Sequence, residues 1–370
     1  MKSTVQPRII ITTAGFGDGH NSAANNLAEA FEDIAEAEVI DPCAIGSPWI
    51  NDKLRGFYRF ITTHTPRIWY RIYSSVEKHD FSKERLPMMR KPEASLRNFM
   101  LSFEPAAIVS TYPLYPYFIE RAFQKGIPRV PVFTVITDSI EINGAWKKAP
   151  SDYYLVTDEF TKKSLIDQGL DEQRIIVTGF CVSPKFTQLE TISADDACSP
   201  FKVLFFPTAK KPIIRRIMRA ILASHPSTQI TVILGRNVRK LYDRVREIQI
   251  EFPDRVHIKG WTRRVPELLS THHLTVGKAG GATVHETIAA ACPMLIHHLV
   301  PGQEEGNLAL LEKIGGGYYT ESHLDIQSSL RDLLENDAKK WRTMKRKLTL
   351  HAKPAGAITA ANFILNHLKK

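Results

Sequence analysis

A chain of 370 residues that is 43% apolar and 24% charged is globular rather than disordered in composition, and long enough for two domains with separate cores. Its net charge of +10 calls for an anionic partner: nucleic acid, phosphates or an acidic lipid surface. Cys43, Cys181, Cys198 and Cys292 lie far apart without C-x-x-C spacing, and no apolar run approaches the roughly 18 residues of a membrane span. A disulfide framework, a cysteine metal site and a transmembrane helix are therefore disfavoured, and with no apolar leader at the start the reducing cytosol is the expected compartment.

In chain order, Arg8–Thr13 predicts the first strand. The glycine turn of "AGFGDGHNSAANNLAEAF" follows, then a helix over Asn21–Glu36 whose Ala24, Leu27, Ala28, Phe31 and Ile34 recur at helical spacing. The next stretch, Ile50–Met100, carries eleven Lys and Arg against five Asp and Glu, interleaved with aromatic residues from Trp49 through Phe57, Tyr58, Phe60, Trp69, Tyr70 and Tyr73. Such a mixture stacks nucleotides or meets lipid headgroups equally well. Further strands are predicted at Ala37–Asp41, Ala106–Thr111, Val130–Thr137, Tyr153–Thr157 and Arg174–Thr178. The polar run "TQLETISADDACSP" (187–200) reads as a linker. After it the rhythm restarts, with strands at Phe201–Phe206, Ile230–Leu234, Val256–Lys259, Leu274–Gly277 and Met294–His297. This is the βαβ pattern of two Rossmann-like, doubly wound α/β domains facing across a cleft, with ligands beyond the carboxyl ends of the strands.

Three stretches carry candidate chemistry. His20 sits where the first helix begins. A helix N-terminus disfavours imidazolium, so this side chain would be neutral near pH 7 and able to act as a general base. The spacing G-x-G-x-G-H departs from the nicotinamide fingerprint G-x-G-x-x-G, and a glycine loop packing helix on strand, with His20 as a partial cap, explains it as well. In "KAGGATVHETIAAACPMLI" (278–296), Gly280 and Gly281 precede a helix predicted to begin near Thr283. Exposed N–H groups there form an anion site, to which Lys278 adds charge and Thr283 a hydroxyl, while Glu286 one turn on could accept both hydroxyls of a ribose. Thr283 and Glu286 also fit a capping box, which needs no ligand. Gln303, Glu304 and Asn307 in "HHLVPGQEEGN" suit sugar hydroxyls, or simply a solvated helix start. No Asp-x-Asp pair or ligand-spaced cluster suggests a metal, and the adjacent pairs His272-His273 and His297-His298 read as structural.

The residues resemble those of a GT-B glycosyltransferase, in the branch of monogalactosyldiacylglycerol synthases and processive diacylglycerol glucosyltransferases, with a more distant similarity to the N-acetylglucosaminyltransferase that makes lipid II. Six motifs carry the resemblance in order across nearly the whole chain: "GFGDGHNSAANNLAEAF", "TGFCVSPKF" (Thr178–Phe186), "ILGRN" (Ile233–Asn237), "GWTRRVPELL", "VGKAGGATVHETIAAACPMLI" and "PGQEEGN". The resemblance implies an inverting, metal-independent hexosyl or N-acetylhexosaminyl transfer from a UDP-sugar to a lipid hydroxyl, diacylglycerol first. No cofactor is implied beyond the UDP-sugar co-substrate. His20 would be the base, with Asp138 orienting it or acting in its place. Gly280, Gly281, Thr283 and Lys278 would hold the diphosphate, Glu286 the ribose, and Gln303, Glu304 and Asn307 the donor sugar. Trp49, Phe57, Arg59, Trp69 and Arg71 would meet acceptor and membrane, which favours an anionic lipid surface over nucleic acid and a peripheral place on the inner face of the cytoplasmic membrane. Expected domains are 1–186, a linker 187–200, a donor domain 201–350, and a helix in 351–370 crossing back to the first domain. The chain departs from the pattern twice. "VLFFPTAKKP" lacks the usual glycine-rich loop, where Lys210 and Lys211 would supply charge instead, and Ile142 replaces a histidine after Thr137-Asp138. Two rival readings share the fold: a 2-epimerase-like sugar-nucleotide enzyme, and a catalytically lapsed membrane- or nucleic-acid-binding protein.

Overall fold

The computed structural model describes residues 6–79, 81–82, 84, 87–208 and 211–368. It divides into two compact units, Met1–Pro184 with Pro301–Gly306 and Ala355–Lys370, and Lys185–Val300 with Asn307–Pro354. Pro301–Gly306 thus packs with the first unit, although it lies within the stretch 201–350 that the sequence assigned to the second.

The first unit is built on β1 (Arg8–Thr12), β2 (Glu36–Ile40), β3 (Ala107–Ser110), β4 (Val132–Val135), β5 (Tyr153–Val156) and β6 (Ile175–Val177). All are parallel, in the order β2-β1-β3-β4-β5-β6. Ile9, Ile10 and Ile11 are wholly buried, as expected of a parallel strand covered on both faces. The first helix is Asp18–Phe31, earlier at both ends than the predicted Asn21–Glu36. The apolar spacing runs on to Ile34, but the chain turns at Asp33 (φ 69°) and enters β2 at Glu36, leaving Ile34 42% exposed. Two consecutive helices, Pro48–His64 and Pro66–Lys78, each open on a proline, whose missing N–H costs nothing there. The last helix, Gly356–Asn366, packs against Asp18–Phe31 in this unit.

The second unit carries β7 (Lys202–Phe205), β8 (Gln229–Ile233), β9 (Val256–Lys259), β10 (Leu274–Lys278), β11 (Met294–His298) and β12 (Gly317–Tyr319), parallel in the order β12-β11-β10-β7-β8-β9. β12 is only three residues long, too short to register as an apolar run in the sequence. Phe201, Val203, Phe205, Val232, Val276, Leu295 and Trp341 lie in one buried cluster.

Strand order reverses between β1 and β3 in the first sheet and between β7 and β10 in the second. In doubly wound sheets these switch points open a crevice beyond the strand ends, so each unit has one place where a ligand is expected. Among the described residues no helix is long and apolar enough to cross a membrane.

Candidate active site

At the first switch point, β1 runs into the glycine turn that delivers His20. The turn is braced by Arg55, whose Nε donates to the Gly15 carbonyl at 3.1 Å, and by Asp41, which accepts the Gly15 N–H at 3.2 Å. His20 lies in the first turn of the helix and is 7% exposed. Its carbonyl accepts the Thr111 hydroxyl from beyond β3 at 3.1 Å. Its Nδ1 lies 3.0 Å from the Thr137 hydroxyl beyond β4, and its ring packs edge-on against Tyr112 and tilted against Trp146. Burial lowers the imidazole pKa from 6.5 to about 4, against a smaller opposing pull from the Thr111 backbone. The imidazole is thus held neutral near pH 7, with burial rather than the helix terminus as the main cause.

Asp138 does not hold His20; Thr137 does. The Asp138 carboxylate instead accepts the Trp146 indole N–H at 2.8 Å. Burial raises its pKa to about 6, the indole partly offsets this, and the charge of Glu304 adds to it. Ile142, at the family's histidine position, is buried in the apolar cluster of Phe81, Tyr117, Ala145 and Trp146, so it contributes packing and no proton chemistry.

At the second switch point, the helix after β10 is Gly281–Ala289, with Gly280 as its N-cap and no side-chain cap. It begins two residues before the predicted Thr283. Thr283 is therefore the third helical residue, and the capping box of Thr283 with Glu286 does not form. The first helical bond runs from the Val284 N–H to the Gly280 carbonyl at 3.0 Å, which leaves the N–H groups of residues 280–283 without helical partners. Glu286 lies one turn in, and burial raises its carboxyl pKa from 4.5 to about 7. Lys278 is exposed at the end of β10, where the register with β11 breaks.

Asn307 is 2% exposed at the start of the helix Glu305–Lys313. Its Nδ2 donates to the Ala279 carbonyl at 3.1 Å, tying that helix to the residue just before the glycine pair, while its Oδ1 is buried without a hydrogen-bond partner among the described residues. Gln303 and Glu304 pack with the first unit. Of the two histidine pairs, His272 and His273 are fully engaged with Leu268, Thr231, Lys202 and Ala197. His297 is half-buried, and its buried Nε2 has no hydrogen-bond partner among the described residues. Lys210 lies outside the described residues, and of Lys211 the structure describes only the backbone, opening the helix Lys211–Leu222. Among the described residues, no three His, Cys, Asp or Glu side chains are placed to hold a metal ion.

The surface residues divide. Trp49 is 68% and Phe57 57% exposed, Phe60 lies beside them on the same helix, and Ile68 and Ile72 are exposed on the next; Arg59 and Arg71 are exposed as well. The Lys53 ammonium sits 3.9 Å over the Trp49 ring. Trp69 differs from the other predicted contacts: its ring turns inward against Tyr58, 5.0 Å between centroids, and against Tyr73. The sequence did not single out Thr111, named Tyr58 only among the aromatic residues of the basic stretch, and noted Thr137 only for its place in the Thr-Asp pair. Nothing in the spacing of a lone hydroxyl marks it as the partner of a residue more than 90 positions away.

Residues 20–182 match the family model for monogalactosyldiacylglycerol (MGDG) synthase. Over 98% of its length the chain is 25% identical to a processive diacylglycerol beta-glucosyltransferase of Bacillus cereus, covering 95% of that protein. A protein of the same name from Bacillus mycoides is 25% identical over 98% of the chain and 94% of its own length. Among solved structures, the glycotransferase of kitacinnamycin superposes with a TM-score of 0.63 at 13% identity, covering 98% of this chain and all of that one. UDP-GlcNAc 2-epimerase from Neisseria meningitidis superposes at 0.59 with 14% identity, over 97% of this chain and all of that one. These last two share the fold. The resemblance carried by the six motifs holds: part of the chain matches the monogalactosyldiacylglycerol synthase model, and nearly its whole length is similar to proteins named processive diacylglycerol beta-glucosyltransferase.

Proposed function

We propose that this protein is a hexosyltransferase that moves a hexose or N-acetylhexosamine from a UDP-sugar to the hydroxyl of a diacylglycerol-type lipid, with inversion and without a metal ion. One observation carries the reading: at the switch point of the second sheet, the backbone N–H groups of residues 280–283 have no partner within their helix and no side-chain cap among the described residues, with a desolvated carboxyl one turn further on. Free N–H groups at a helix start suit a diphosphate, and a carboxylate at that spacing suits a vicinal diol. In this reading Gly280, Gly281 and Thr283, with Lys278, take the diphosphate and Glu286 the ribose. Gln303, Glu304 and the free oxygen of Asn307 take the sugar. His20 accepts the proton of the lipid hydroxyl as its oxygen attacks C1 and UDP departs, its charge stabilised by the helix N-terminus.

The names of the full-length relatives support diacylglycerol as acceptor and a β-linked product. The exposed Trp49, Phe57, Arg59 and Arg71 support a peripheral seat on an anionic membrane face, with the cytoplasmic side as the expected one. A second reading, sugar-nucleotide 2-epimerisation, is favoured by the proximity of two carboxyls, Asp138 and Glu304, and by the structural likeness to a 2-epimerase. Incubation with radiolabelled UDP-sugars, total lipid extract and EDTA separates them. The proposal expects a labelled lipid with EDTA present. A converted free donor would favour epimerisation, and neither product would point to a binding protein without activity.

A further inference from the structure

The loop Pro301–Gly306 follows β11 in sequence yet packs in the first unit, and its own residues show what holds it. Gly302 has φ +78°, and a Cβ there would lie 3.0 Å from Tyr73 Cδ1 and 3.1 Å from Tyr70 Cδ2. The turn is seated against two rings of the helix Pro66–Lys78, where a Cβ would crowd both rings and the positive φ favours glycine. A Cβ on Gly306 would fall 1.9 Å from the Ser139 carbonyl oxygen, so the other end of the loop is locked beside Asp138. Between these ends, the Tyr58 hydroxyl of the helix Pro48–His64 donates a 3.0 Å hydrogen bond to Gln303 Oε1.

We infer that Tyr58 is a positioning residue for donor recognition, fixing the Gln303 amide with its oxygen bound to the protein and its NH₂ group turned to the ligand. The inference rests on the reading of Gln303 as a contact of the donor sugar. A glutamine amide left to itself turns about its last torsion and presents oxygen or nitrogen with nearly the same shape. The Tyr58 hydroxyl halts that rotation by holding one end of the amide, here Oε1, which leaves the NH₂ end to meet an oxygen lone pair on the sugar. The phenol is held in place for this. Its ring meets Trp69 edge-on at 5.0 Å and Phe16 edge-on at 6.2 Å. Trp69, which turns away from the surface that the sequence assigned to it, serves as one of these supports.

Calorimetric titration of the full chain with UDP, and with the tighter-binding of UDP-glucose and UDP-galactose, tests the assignment. Tyr58→Phe keeps the ring contacts and removes the hydroxyl. It should weaken UDP-sugar binding about tenfold, the scale of one hydrogen bond, and leave UDP binding unchanged, because the amide meets the sugar alone. Gln303→Ala should show the same loss, and the double variant no more than either single one. Equal losses for UDP and UDP-sugar, no loss for either, or fully additive losses would overturn the inference. Gln303→Glu keeps the oxygen that Tyr58 reaches and discards the N–H face, so it too should lose UDP-sugar affinity; unchanged affinity there overturns the inference even with a Tyr58 variant that does not fold. Wild-type protein that binds UDP-sugar no more tightly than UDP would remove the donor-sugar reading itself, a result distinct from all of these.

Discussion

A buried histidine bonded to a hydroxyl titrates differently from one paired with a carboxylate. Thr137 can accept the Nδ1 proton of His20 and so fix which nitrogen stays basic, but it carries no charge to stabilise the imidazolium. His20 is thus neutral above pH about 4, whereas Asp138 ionises near 6. The acid limb of kcat/KM in wild-type protein should therefore turn near pH 4 with His20 as the base; a limb near pH 6 would hand the role to Asp138. Because an unfolded histidine protonates near its ordinary 6.5, the unfolded chain binds the extra proton between pH 6.5 and 4, and His20 makes the fold lose stability as pH falls through that window. Glu286 works with the opposite sign. Its carboxyl ionises near 4.5 unfolded and near 7 folded, so its burial costs stability as pH rises through that interval and leaves a deficit above it. Glu286→Gln should raise the melting temperature at pH 8 while weakening UDP binding about tenfold, the scale of lost hydrogen bonds to a charged group. Wild-type UDP affinity should itself rise with pH through about 7, as the carboxylate that accepts the ribose hydroxyls forms. Calorimetry at pH 6 and 8 reads both effects, and a variant that binds UDP as tightly as wild type would clear Glu286 of the ribose.

The paired helices Pro48–His64 and Pro66–Lys78 show how much of an element is legible in composition. Their mixture of aromatic and basic residues was plain, and the outward positions of Trp49, Phe57, Arg59 and Arg71 agree with it. Trp69 was not legible, because which side of a helix meets solvent depends on what packs against the other side, and here that includes Tyr58 and Tyr73. The start of the helix Gly281–Ala289 was misplaced for a similar reason. Thr283 and Glu286 have the spacing of a cap, but the backbone becomes helical at the second glycine, which moves both residues inward. If the helix pair docks on lipid, Trp49, Phe57 and Phe60 replaced together by serine should cut co-sedimentation with vesicles of mixed neutral and anionic lipid at least tenfold, while UDP binding stays the same. Unchanged co-sedimentation would move the membrane contact elsewhere.

At the scale of the whole molecule, two parallel sheets were readable because βαβ units repeat a strong local pattern, and because parallel strands covered on both faces are continuous apolar runs. The allotment of Pro301–Gly306 was not readable, since six residues carry no periodicity and their placement depends on long-range contacts such as Ser139 against Gly306. Much the same holds for the two switch points. The sequence suggested a glycine turn and a glycine-started helix, while the strand order that places each at a reversal emerges only from pairing. The proposed function assigns the nucleotide to residues 280–286 and proton transfer to His20. Its most direct test is His20→Ala, assayed for transfer from radiolabelled UDP-sugar to diacylglycerol vesicles and titrated with UDP in parallel. The account predicts a fall in transfer of about 10²–10⁴-fold, the range for loss of a general base, with UDP affinity unchanged. Full transfer activity in that variant, at normal UDP affinity, would contradict it.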